Sequence, residues 1–131
     1  MASGNFISLL KDVDCPDATD GQGNPNLPHR GDVVVLSNHM VDLLLCAKCT
    51  STPSGANVSF TLEHSPDGTT GSFSAVTNEA GAAIAFECIS GDACNCAIID
   101  VPLLPYVIAT CIQGGSATTL CNLDLYYRTQ K

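Results

Sequence analysis

The stretch Asn57-Val-Ser-Phe-Thr-Leu-Glu-His64 alternates apolar and polar residues, with Val58, Phe60 and Leu62 on one side and Ser59, Thr61 and Glu63 on the other. Successive strand residues point to opposite faces, so a period of two specifies a half-buried β-strand. The closing run repeats the pattern: Cys121, Leu123, Leu125 and Tyr127 share one face, and Asn122, Asp124 and Tyr126 the other. Shorter apolar runs at 33–36, 41–46, 72–76, 81–88, 96–101 and 105–112 complete the series. Turn residues separate them at 37–39, 50–56, 65–68, 91–92 and 113–118. In Ser65-Pro-Asp-Gly68, Pro66 presets φ for the first central position and Gly68 accepts a positive φ. About eight short strands, with no helical pattern and no internal repeat, predict an all-β chain: a single antiparallel β-sandwich or jelly roll over residues 32–131.

Residues 1–31 are expected to be an irregular N-terminal arm. The part from 11 to 31 holds three Pro, three Gly and four Asp and has little to bury. Such a stretch reads as a linker, or as a segment that orders only against a partner. Residues 6–11 fit an extra edge strand or a single helical turn.

Charge excludes some partners. Five Lys and Arg against thirteen Asp and Glu give a net charge of −8, which repels phosphate backbones, and no basic cluster offsets it. Nucleic acid is therefore not expected as a ligand. No apolar run reaches the ~18 residues of a membrane span. The start lacks the basic and apolar regions of a signal peptide, so synthesis in the cytosol and no membrane partner are expected. Only 14% of residues are charged, against about a quarter in ordinary globular chains, which suggests that part of the exterior faces another protein.

The eight cysteines are Cys15, Cys46, Cys49, Cys88, Cys94, Cys96, Cys111 and Cys121. In a chain without a leader the default is reduced, buried thiols; in a particle released from the cell, disulfides can follow. Cys46-Ala-Lys-Cys49 has the spacing of a zinc knuckle or redox pair, and Cys94 and Cys96, with Cys88, are the further zinc candidates. Cys94-Asn-Cys96 is not a second C-x-x-C, and a redox pair needs a βαβ context, so no cofactor is expected. Cys111 and Cys121 bracket the Gly-rich turn. In a hairpin they would face each other as a cross-strand disulfide or as two buried thiols.

Other motifs are weaker. Asp12, Asp14, Asp17 and Asp20, before Gly21, offer carboxylates for Ca²⁺ but lack EF-hand spacing, and a solvated acidic loop is the simpler reading. Arg30-Gly-Asp32 is an integrin-type tripeptide at a turn, and Asn57-Val-Ser59 is a glycosylation sequon. The three histidines, His29, His39 and His64, stand in no triad or zinc-protease signature; Glu63-His64 beside Asp67 is the one candidate acid–base cluster. No catalytic residue is expected, and an enzyme is not the reading.

The block 58–68, the run Pro105-Tyr-Val-Ile-Ala-Thr110 and the closing strand to Arg128 resemble small β-sandwich structural proteins of tailed bacteriophages, notably capsid decoration or cement proteins. The shared features are a strand ending in a Ser-x-Asp-Gly-type turn and a late strand opening on Tyr-Val, then a Gly-rich hairpin and a last strand. The likeness spans roughly 57–128; the chain departs from it in lacking Trp and in its cysteines. It implies a virion protein, made in the host cytoplasm, that binds the major capsid protein or other virion proteins through homo-oligomeric or repeated lattice contacts, with the arm ordering on attachment. A tail or head–tail connector subunit is the alternative within that class. A cysteine-rich extracellular binding module and a zinc-stabilised domain are the alternatives outside it.

Overall fold

A computed structural model describes residues 5–16, 27–36, 40–50, 57–78, 80–89, 94–99, 101–113 and 120–129. Ten strands lie among them: β1 (Asn5–Asp14), β2 (His29–Arg30), β3 (Val34–Val35), β4 (Met40–Thr50), β5 (Asn57–Ser65), β6 (Ser74–Ala75), β7 (Ala85–Ile89), β8 (Cys94–Ile99), β9 (Tyr106–Gln113) and β10 (Leu120–Thr129). They form two antiparallel sheets. One runs β1-β10-β4-β8; the other runs β2-β9-β5-β6, with β3 also on β9 and β7 also on β5. The chain is a β-sandwich, as the alternation predicts.

The two most regular strands fill the middle from opposite sides. Val58, Phe60 and Leu62 of β5 and Cys121, Leu123 and Leu125 of β10 are all buried in one core cluster. Leu45 and Ala47 of β4 and Val107, Ala109 and Cys111 of β9 join them. On the outer side of β5 the exposed Thr61 meets its register partner Thr110 of β9 in a hydroxyl–hydroxyl hydrogen bond.

Two expectations need correction. The irregular arm over 1–31 does not hold at 5–14, where β1 pairs with β10 along its length as an edge strand. Adjacent Leu9 and Leu10 are both buried, which a strict period of two forbids. Register shifts between Ser8 and Leu10 and again between Leu10 and Val13 make both inward turns feasible, and Asp12 in the second takes φ of 48°. Asn122 accepts the Asp12 backbone N–H at 2.9 Å. Further on, Arg30 and Gly31 are held against β9, Gly31 N–H donating to Ala109 O at 2.8 Å. A β-carbon on Gly31 would lie 2.8 Å from Leu10 Cδ2 and 3.0 Å from the Leu9 carbonyl oxygen, so glycine lets two segments approach closely here.

The second correction concerns the final strands. β9 and β10 belong to different sheets, so they are not the two arms of a hairpin. Each has longer partners elsewhere: β9 lies on β5, and β10 lies between β1 and β4. The turns expected at 37–39, 51–56, 91–92 and 114–118, and the stretch 17–26 with Asp17, Asp20 and Gly21 of the acidic loop, lie outside the described residues.

The packing fixes two outcomes measurable by chemical denaturation. Phe60→Ala empties a fully buried ring site and costs about 3–5 kcal/mol, whereas Thr61→Ala on the outer face costs under about 1 kcal/mol. Removing residues 1–15 strips β1, Leu9 and Leu10 from the core, so the truncated chain unfolds at lower denaturant than the full chain; equal midpoints would show that β1 contributes nothing.

Candidate functional site

Three places concentrate chemistry: a groove beside β8, the turn after β5, and the cysteines.

The groove lies at the end of the sandwich where β4 begins and β8 finishes. Its volume is about 1070 Å³, and its walls are Leu36, Met40, Leu43, Leu44, Ile98, Ile99, Val101, Leu103 and neighbouring prolines, with Asp42 as the charged lining residue. β4 is irregular here: its register against β10 shifts beyond Leu44, and Asp42 takes φ of 54°. Asp42 forms an ion pair with Arg128 at the rim. β8 is the edge of its sheet, and its sequence Cys-Asn-Cys-Ala-Ile-Ile carries no charge and no proline. Ile98 is 77% exposed. Natural edge strands are usually blunted by charge, proline or cover, and among the described residues no strand pairs with the outer edge of β8.

Beside the groove, β8 is stapled to β4. Cys46 and Cys96 are direct register partners and form a disulfide, closing a span of 50 residues. Cys46 lies between the buried Leu45 and Ala47, so alternation turns it to the outer face. This overturns the zinc knuckle on Cys46, Cys49, Cys94 and Cys96, because two of the four sulfurs are spent on each other. The side chains of Cys49, Cys88 and Cys94 lie outside the described residues.

The turn after β5 is a knot of short polar side chains. The buried Ser65 hydroxyl accepts the backbone N–H of Gly68 at 2.9 Å. The Asp67 carboxylate accepts the Thr69 N–H at 3.0 Å and the Thr69 and Ser72 hydroxyls at 2.9 and 2.8 Å. Donors to the charged form favour it, first the Thr69 backbone N–H and then the Ser72 and Thr69 hydroxyls, and Asp67 is pushed down to about 2. Gly68 takes φ of 77°, and a β-carbon there would meet the Tyr106 ring at 2.8 Å.

The candidate acid–base cluster is not assembled. Glu63 pairs with Arg30 at 3.2 Å, Asp67 is engaged in its own turn, and His64 Nδ1 accepts the Leu104 N–H at 3.1 Å. Burial lowers the His64 pKa from 6.5, keeping the imidazole neutral for that bond. The same Arg30 lies over the Phe73 ring, 5.6 Å from its centroid, so Arg30-Gly-Asp32 is built into the sheet at its first two residues rather than displayed on a loop. Asp12 and Asp14 of the acidic series belong to β1.

Of the two readings open for Cys111 and Cys121, the structure has two buried thiols and not the disulfide. They face each other across the interior from opposite sheets, and Cys15, just past β1, joins them with all three sulfurs within 4.8 Å of one another. Hydrogen bonds with Cys121 and then Cys15 pull the Cys111 thiol below its ordinary range, against the opposing effect of burial. The part played by Cys15 was hidden by its place in the supposed arm.

Three measurements follow. Gly68→Ala forces a side chain into a left-handed backbone and against Tyr106, costing about 1–3 kcal/mol in equilibrium unfolding. Replacing both Cys46 and Cys96 by Ser removes the cross-link and costs about 2–4 kcal/mol on the same scale. For His64 the folded pKa lies below the unfolded one, so its contribution is complete above pH 6.5 and is lost as pH falls through the folded value. Melting temperature therefore falls as pH drops below about 6.5 in the wild type, and His64→Asn, which keeps an acceptor without titrating, flattens that part of the profile. Compared with protein-family models, with curated proteins and with solved structures, the chain finds no match.

Proposed function

We propose that this chain is a virion structural protein, a decoration protein that clamps the outside of a phage shell, and that it docks through the β8 edge and the groove beside it. The observation that carries the docking mode is an uncharged strand edge, without a paired strand among the described residues, flanked by an apolar groove and braced by the Cys46–Cys96 bond. An exposed edge recruits an extended segment by backbone hydrogen bonding, and adjoining pockets give it specificity. The phage assignment rests on the likeness of 57–128 to decoration proteins. A net charge of −8 supports an outer position, away from packaged nucleic acid. Single edge contacts are weak, and a lattice that offers several at once raises the effective concentration.

The disulfide favours a second reading. Such bonds persist in oxidising surroundings, which suits a cysteine-rich extracellular binding module as well as a released particle.

Co-sedimentation with mature shells, with tails and with isolated capsid subunits separates these readings. The proposal expects binding to shells, little to free subunits, and loss of at least ~10-fold in affinity for Ile98→Lys, whose exposed position leaves the fold intact. Binding to tails alone would assign a tail or connector subunit, and binding to no virion part would leave the extracellular module.

A further inference from the structure

We infer that Cys15, Cys111, Cys121 and His29 form a structural Zn²⁺ site that fastens the N-terminal segment to both sheets.

Three thiols from three separate parts of the chain converge here: the residue after β1, the inner face of β9 and the inner face of β10. All three are buried, and their sulfurs lie within 4.8 Å of one another. Thiolates on a tetrahedral zinc, at bonds of about 2.3 Å, stand roughly 3.8 Å apart, so only a small contraction completes the cage. A disulfide would use two of the sulfurs and leave the third idle; one ion uses all three.

The fourth ligand comes from register. His29 is the direct partner of Cys111 in the β2–β9 pairing, and directly opposed residues share a face of the sheet. Cys111 points inward, so the half-buried His29 stands on the same side; its ring nitrogens are not within 4.8 Å of all three sulfurs, and a rotation of the side chain brings one of them onto the ion. The neighbouring pair, Arg30 opposite Thr110, lies on the outer side, where Arg30 meets Glu63. Three sulfurs and an imidazole select a borderline-soft ion over Ca²⁺ or Mg²⁺, and four-coordinate Cys₃His sets are typical of structural zinc. The site has a plain structural use. Cys15 follows β1 and His29 opens β2, so one ion ties both strands to β9 and β10. This inference is independent of docking at β8.

The test uses the full chain, produced with zinc and purified without oxygen or chelator, followed by elemental analysis and exchange into Co²⁺. One zinc per chain is expected, with the thiolate charge-transfer and strong visible bands of tetrahedral S₃N cobalt. Cys111→Ser should lose the metal, His29→Ala should weaken zinc at least ~10-fold and alter the visible bands, and the Cys46→Ser/Cys96→Ser double variant should keep full occupancy. If Cys111→Ser does not fold, wild type with and without a zinc chelator decides: a lower melting temperature in chelator supports the site. An unchanged melting temperature, a folded wild type without zinc at micromolar ion, or a mapped disulfide between any two of the three cysteines overturns it.

Discussion

The inward faces of β5 and β10 meet across the sandwich, and most of the molecule depends on that meeting. Val58, Phe60 and Leu62 come from one sheet, Cys121, Leu123 and Leu125 from the other, and every one is buried. Burying large apolar side chains contributes roughly 1.5–3 kcal/mol each, before the conformational entropy of ordering them is set against it. Because side chains alternate along a strand, this interior also decides what the outside displays. A shift of one residue in either strand would expose the whole set, so the register of β1, β4 and β9 against these two strands is tightly specified.

Where the alternation is regular, the sequence is easily read: β5 and β10 have the predicted faces, and Thr61 and Asn122 point away from the core side. Where bulges interrupt it, reading fails. Residues 6–11 fit an edge strand or a helical turn equally, because Leu9 and Leu10 side by side break the alternation; two register shifts in β1 turn both inward. Likewise β4 continues through Cys49 and Thr50, beyond the apolar run that marks it. The cysteines misled for a topological reason. A Gly-rich segment between two strands suggests a hairpin, but β9 and β10 lie in opposite sheets, and their cysteines meet across the core instead. Cys46 and Cys96 are 50 residues apart, and nothing local reveals that β8 pairs with β4.

The polar features are mostly structural in their consequences. Ser65, Asp67, Thr69 and Ser72 satisfy one another and the backbone of a single turn, which presents Gly68 to Tyr106 and covers the start of β9. Arg30 is held between Glu63 and Phe73, and His64 supports the 101–105 segment through Leu104. That segment is a wall of the apolar groove, so the neutral imidazole and the Cys46–Cys96 bond shape the same end of the molecule from two sides. Among the described residues, the uncharged outer edge of β8 has no strand paired with it.

The most direct test of the account is a density map of shells decorated with the full-length protein, fitted with the sandwich. The account predicts density from a neighbouring subunit running along β8 as an added strand, with side chains filling the groove between Met40 and Leu103. Density that leaves β8 and the groove facing solvent, with attachment through another face, would contradict it.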